Sequence, residues 1–390
     1  MVDAQEFVQA IRSVVGDEPT IGLHVPDIGE AEQRHVTECL ESTFVSSVGP
    51  FVTRFEQEIA GFTGAAHAVA VSNGTVALQV ALVLAGVEPG DEVIIPALSF
   101  IATANAVVHA GAHPYFVDSD AATLGMSAAA LEKTLRGMTR RDDATINPAT
   151  GRRIAAIVPM HTFGHPAQIE RIVALGDAYG VPVVEDAAES LGSFVGDRHT
   201  GTFGRLGVLS FNGNKILTTG GGGMILTNDR ELSTRAKHLT TTAKVPHEWE
   251  FEHDEVGWNF RMPNLNAALG VAQFSKLKAY LTAKRLIAER YAAAFATVDG
   301  VSFIPEPAGT TSNYWLCSVR VEGGLAVRDA LLRAANDAGL QSRPVWNLLS
   351  RQRPYADAQR GPLTTATELE HSIISVPSSP RLARIGGRPS

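Results

Sequence analysis

Four short stretches combine residue types that do chemistry with small residues that let a ligand approach. In LSFNGNKILTTGGGGMILT (209–227), Lys215 stands between a serine and a run of four glycines, Gly220 to Gly223. A loop lysine is ordinarily solvated. One enclosed between two apolar runs is instead an amine whose pKa can fall far enough for Schiff-base chemistry. In VVEDAAESLG (183–192) an apolar run closes on Glu185 and Asp186. A solvated surface pair is one reading of these acids. The other is a buried acid, which requires a cationic partner. A protonated pyridine nitrogen is such a partner, and an aspartate that keeps its proton in place makes the ring a better electron sink. Ala187 and Ala188 leave room for a flat ring. In SNGTVAL (72–78), Gly74 and Thr75 open a helical stretch, where free amides and the helix dipole cradle a phosphate. A glycine turn followed by a threonine cap gives the same letters. In ALSFIATANAV (97–107), Phe100 follows an apolar run, either as core or stacked on a flat cofactor. Singly, none decides the chemistry. Their order does, since Asp186 and Lys215 lie 29 residues apart on consecutive strand ends.

The elements that must position these residues alternate. Apolar runs at 68–74, 91–100, 114–118, 154–160, 181–186 and 206–211 are interleaved with helical spacing at 75–87, 101–112, 127–135 and 168–180. That pattern predicts an α/β fold with parallel strands and helices on both faces, and ligands at the carboxyl ends of the strands. Ser127 is the expected N-cap of the third of these helices, and the polar stretch 138–154 is expected to be a surface loop. From about residue 262 the character changes. An Ala-rich helical run over 264–298 leads to a smaller α/β unit holding a strand at 318–323 and a helix at 325–339.

Composition narrows the function class. Of 390 residues, 45% are hydrophobic and 19% charged, an ordinary globular balance. A net charge of −8 without long like-charged runs argues against nucleic acid as partner, and no apolar stretch spans a bilayer. With no apolar leader at the start, a cytoplasmic location is expected. Cys39 and Cys317 are too few for a disulfide framework or a structural zinc site. No metal is expected from His161 and His165 either, because Gly164 and Pro166 break the helix that such a pair of ligands needs. His161, directly after an apolar run, is expected to line the pocket. Arg261 and Arg343 are candidates for the phosphates of a substrate, or equally for surface ion pairs. Trp346 either packs against a ring of the substrate, or within the small unit. The glycine run is followed by a strand and not a helix, so the dinucleotide fingerprint of a nicotinamide oxidoreductase is missing.

EDAAES, SFNGNK followed by TTGGGG, and GWNFRMPNLNAALGVAQ (257–273) resemble the DegT/DnrJ/EryC1/StrS family of pyridoxal phosphate (PLP)-dependent sugar aminotransferases, from about Val25 to the C-terminal region. The resemblance implies a fold-type-I aminotransferase. In that fold a large domain with a mostly parallel seven-stranded sheet between helices (1–262) is followed by a linking helix and a smaller C-terminal α/β domain (263–390). It further implies PLP as cofactor, with Lys215 bonding to it and shuttling protons, Asp186 on the pyridine nitrogen and Phe100 on the ring. Gly74, Thr75 and Ser210 would hold the phosphate, and Glu189 would lie near the cofactor's hydroxyl. Asn259 would reach the phosphate of the other subunit in a homodimer with shared active sites. The chain departs from the family at Gly221, where Glu is common, and in RPVWNLLSRQRPY (343–355), which replaces a histidine-rich pattern. These departures, with VSSVGPFV (45–52) and Glu189, are similar to the LegC-type branch. That branch implies amino transfer from L-glutamate to the C4 keto group of a UDP-4-keto-6-deoxy-N-acetylhexosamine. A PLP-dependent sugar dehydratase is the nearest alternative, but such relatives carry His in place of the lysine. A non-catalytic regulator or binding protein of the same fold is the other.

Overall fold

A computed structural model describes residues 2–384. Helices α1 (Ala4–Val15), α2 (Glu30–Glu41) and α3 (Pro50–Thr63) come first. Strand and helix then alternate through β1 (His67–Val71), α4 (Gly74–Leu84), β2 (Glu92–Pro96), α5 (Ile101–His109), β3 (His113–Val117) and α6 (Ala128–Arg136). They continue through β4 (Ile154–Ile157), α7 (Ile169–Tyr179), β5 (Val184–Asp186), β6 (Leu206–Ser210), β7 (Gly223–Thr227) and α8 (Arg230–Thr240). Strand β2 pairs in parallel with β3 and β4, and β5 with β6. Parallel bridges Ile157–Val183 and Met160–Asp186 join β4 to β5, and β7 lies antiparallel between β6 and β1. The order across this sheet is β1-β7-β6-β5-β4-β2-β3, mostly parallel as expected. Strands β2, β4 and β7 are buried along their whole length, which follows from helices covering both faces. The carboxyl ends of β1, β2, β5 and β6 therefore meet at one edge.

The C-terminal part begins with α9 (Asn264–Phe274) and α10 (Leu277–Phe295), followed by β8 (Val301–Phe303), β9 (Cys317–Val321) and α11 (Gly324–Asp337). Strand β10 (Arg343–Pro344), helix α12 (Thr364–Ser372) and strand β11 (Ile373–Val376) complete an antiparallel sheet of order β8-β9-β11-β10. Three local readings change. The run 264–298 is two helices, because the Ser275 hydroxyl bonds back to the Ala272 carbonyl and Lys276 is drawn to Glu32 at 2.6 Å. The stretch 138–154 is not all loop: Thr139–Arg141 and Ala144–Ile146 pair as a hairpin turning at Asp142. Its first strand is fully exposed, so it carries no apolar alternation to read. Helix α1, within the range read as the first unit, buries Phe7, Ile11 and Val14 in one cluster with Ile287, Tyr291 and Val319 of the C-terminal part.

Candidate active site

At the end of β1, the Asn73 side chain accepts the Val76 N–H at 3.0 Å and caps α4. The first-turn amides of Gly74 and Thr75 have no partner within the helix. A Cβ on Gly74 would lie 2.9 Å from Ser210 Cβ, so the start of α4 is pressed against the end of β6 with the Ser210 hydroxyl alongside. On the other side, a Cβ on Gly223 would meet the Asn73 carbonyl at 2.5 Å. The last glycine of the run thus lets β7 pass the helix start. Gly221 has nothing closer than 4.0 Å, so packing alone does not require glycine there.

Successive side chains of β5 point to opposite faces. Glu185 is buried and structural. It accepts N–H bonds from Gly201, Phe203 and Gly204, and faces His161 Nε2 at 3.0 Å. Asp186 faces the cleft. Its carboxylate accepts from the Thr103 hydroxyl at 2.8 Å and the Ala188 N–H at 3.2 Å. Among the described residues no cation forms a salt bridge with it. Burial pushes its pKa up, against the pull of Thr103, Ala188, Lys215 and His161. Beyond β6 the chain turns through Asn212 to Lys215, whose Nζ donates to Glu189 Oε1 at 3.0 Å and lies 3.9 Å from the Trp315 ring centre. Glu189 Oε2 accepts the Phe163 N–H at 2.9 Å. Burial also raises the Glu189 pKa, opposed first by Lys215.

These ends enclose a cavity of about 330 Å³. Eight residues singled out from sequence line it together: Gly74, Thr75, Phe100, Asp186, Glu189, Ser210, Lys215 and Trp346. Phe100 is half exposed at the start of α5, its ring centre 6.2 Å from that of Trp346. The other four stand elsewhere. His161 is fully buried behind the cleft, and Met160 lines it instead. Its Nδ1 accepts the Ala167 N–H, so its proton is on Nε2 and is donated to Glu185. The expectation that it lines the pocket is corrected: Glu185, on the face away from the cleft, claims the ring. Arg343 is exposed and bonded to the Ser342 carbonyl at 2.9 Å. Asn259 and Arg261 bond to one another on an exposed strip beside β1. Thr103 and Trp315 were missed. Thr103 sits three positions after Phe100, one helical turn along the same face, and that spacing was a usable signal. Trp315 lies in the bend just before β9, and no local pattern ties it to Lys215.

The residues fit PLP. Helix-start amides suit a phosphate, a buried acid with no counter-ion among the described residues suits a protonated ring nitrogen, and an amine stands in the same cavity.

Comparison with known proteins agrees. The model of the DegT/DnrJ/EryC1/StrS aminotransferase family matches residues 26–385. The Bacillus subtilis (strain 168) protein EpsN, whose name describes a pyridoxal phosphate-dependent aminotransferase, is 39% identical over 85% of this chain and 83% of its own. The GDP-perosamine synthase of Caulobacter vibrioides is 36% identical over 88% of each chain. Among solved structures, the aminotransferase TlmJ from Streptoalloteichus hindustanus superposes with a TM-score of 0.84 at 34% identity, over 94% of this chain and 98% of its own. The chain is a PLP-dependent enzyme of the DegT/DnrJ/EryC1/StrS aminotransferase family.

Proposed function

We propose that this aminotransferase moves the amino group of L-glutamate to the C4 keto carbon of a nucleotide-linked keto-deoxy sugar of the UDP-4-keto-6-deoxy-N-acetylhexosamine type. The observation that carries the assignment of roles is one cleft, at the ends of adjacent parallel strands, holding both Lys215 and a buried Asp186 that has no counter-ion among the described residues. When bound, PLP supplies the electron sink that receives the amino group from one substrate and delivers it to the next. The amides of Gly74 and Thr75 and the Ser210 hydroxyl bind its phosphate. Asp186 would hold the proton on its ring nitrogen, Phe100 would cover a face of the ring, and Glu189 would lie at its hydroxyl side. Lys215 Nζ takes the proton from Cα of the donor and, in the second half, returns one to C4 of the sugar. Trp346 stands at the mouth, where a sugar ring packs against it. The cavity lining contains no arginine. Substrate phosphates therefore fall to groups outside it, with Arg261 of a second subunit as the candidate, while Asn259 of that subunit reaches the phosphate of the cofactor. Trp249, Phe251 and Val256, all strongly exposed just before Asn259, suit a homodimer interface.

The family resemblance to the LegC-type branch supports the choice of sugar, and the GDP-linked product in one relative's name leaves the nucleotide to experiment. The test is visible absorbance of the holoenzyme before and after L-glutamate, followed by turnover with UDP- and GDP-linked keto sugars. The expected outcome is a yellow band that bleaches with glutamate and product formed from the UDP-linked substrate. Lys215→Ala should lose turnover while keeping PLP through its phosphate contacts; normal turnover by that variant overturns the assignment. Asp186→Asn should slow both halves about 100-fold or more, as expected on losing one preorganised electrostatic group.

A further inference from the structure

The amine of Lys215 rests between a carboxylate and an indole, and both are fixed from behind. Phe163 adopts a left-handed φ of +56° in the turn that presents its N–H to Glu189. A bulky residue keeps that conformation only where surrounding contacts overdetermine it. Trp315 is tied at three points. Its indole N–H donates to the Asn214 carbonyl at 2.7 Å, its backbone N–H donates to Asn313 Oδ1 at 2.8 Å, and its carbonyl accepts from Lys284 Nζ at 2.7 Å. Asn313 also donates to the Glu189 carbonyl at 2.9 Å, so one asparagine locks the indole and the acid together. Gly164 makes room for it, since a Cβ there would fall on Asn313 Oδ1.

A carboxylate and the face of an indole both favour an ammonium over a neutral amine. We propose that Glu189 and Trp315 form a docking station for the protonated amine of Lys215 in the cofactor-free protein, the place it occupies before it bonds to PLP. This rests on the assignment of Lys215 as the cofactor-bonding amine. Glu189 acts here as a positioning residue, keeping a flexible four-carbon side chain charged and within reach of the cleft floor. To leave the station the ammonium gives one proton to solvent. The neutral amine then forms its bond to the PLP aldehyde carbon, and one water departs. The other titratable groups within electrostatic reach of the amine are Asp186 and His24.

The test follows capture of PLP by the cofactor-free protein against pH, read by the visible absorbance of the lysine-bound cofactor. Glu189→Gln keeps the shape and removes the charge. Its capture midpoint should fall by about one pH unit, making capture below the midpoint about tenfold faster than in wild type. Glu189→Asp, which keeps the charge, should stay near wild type, and Trp315→Leu should shift as Glu189→Gln does but less. Pyridoxamine phosphate, which carries its own amine, reports separately whether each variant retains a folded site. An unchanged midpoint in Glu189→Gln with pyridoxamine phosphate still bound overturns the station. So does an equal shift in Glu189→Gln and Glu189→Asp, which would assign the effect to packing. An unmoved profile in Trp315→Leu removes the indole from it, whatever Glu189→Gln does. Failure of the wild type to form a Lys215-dependent band would instead overturn the cofactor assignment beneath it.

Discussion

Burial disfavours the Asp186 anion, and the Thr103 hydroxyl is the largest of the local groups that offset this. Thr103→Val keeps the side-chain shape and removes a bond of 2.8 Å to the carboxylate. A hydrogen bond to a charged group contributes about 1.5–3 kcal/mol, so PLP should bind roughly tenfold more weakly. The sign of the pH effect follows. Losing the bond raises the Asp186 pKa further, so more of it is neutral as pH falls, and a neutral acid holds a ring proton poorly. The loss of affinity should be larger at about pH 6 than at about pH 8, and fluorescence titration of PLP at both values checks it. Affinity equal to wild type at both would take Thr103 out of the site. Asp186 itself was legible in the sequence because its companions, Ala187 and Ala188, are small and its strand is apolar. His161 was misplaced because a residue after a strand faces either way, and only the Glu185 contact decides which.

At the scale of elements, the helix starts and strand ends were legible to within a few residues wherever a cap or glycine marked them. Ser127 caps α6 by accepting the Ala130 N–H, as its position implied. What stayed hidden is how elements from distant sequence meet, and the glycine run illustrates both sides. Its composition announced a close approach, but only the packing of β7 against α4 shows which glycine is required. Gly223→Ala would place a methyl group 2.5 Å from the Asn73 carbonyl, and backbone must shift to admit it. Overpacking of this kind costs about 1–3 kcal/mol. A lowered melting temperature and weakened PLP binding should appear together, because the displaced backbone is the phosphate cradle. Gly221→Ala, with open space around it, should leave both near wild type. Equal effects from the two substitutions would show that the run acts through flexibility and not through the β7–α4 contact.

Across the whole molecule, Lys284 on α10 joins the cleft wall to the C-terminal part. Its amine is fully buried and donates to the carbonyls of Trp315 and Ser378, with no carboxylate in salt-bridge range among the described residues. Nothing in AYLTAKRLIAERY marks this lysine as interior, since its neighbours Lys278 and Arg285 look the same in sequence. Burial lowers its pKa to about 7. The unfolded chain keeps Lys284 protonated up to about 10.4, so between these values it binds more protons than the folded chain, and stability rises with pH. Above about pH 9 the Cys317 thiol, pushed up to about 11 by burial, offsets the lysine, because the unfolded chain loses that proton first. The clear window is therefore roughly pH 7 to 9, where the lysine linkage reaches at most about 2–3 kcal/mol. Denaturant unfolding across that window should show stability rising with pH in the wild type. Lys284→Met removes the titrating amine and strands two carbonyls, at about 1–3 kcal/mol each. It should therefore be less stable at pH 9 and should lose the upward slope. An identical slope in wild type and variant would mean that Lys284 keeps its proton in the folded chain, with the two carbonyls alone holding an ammonium beneath Trp315.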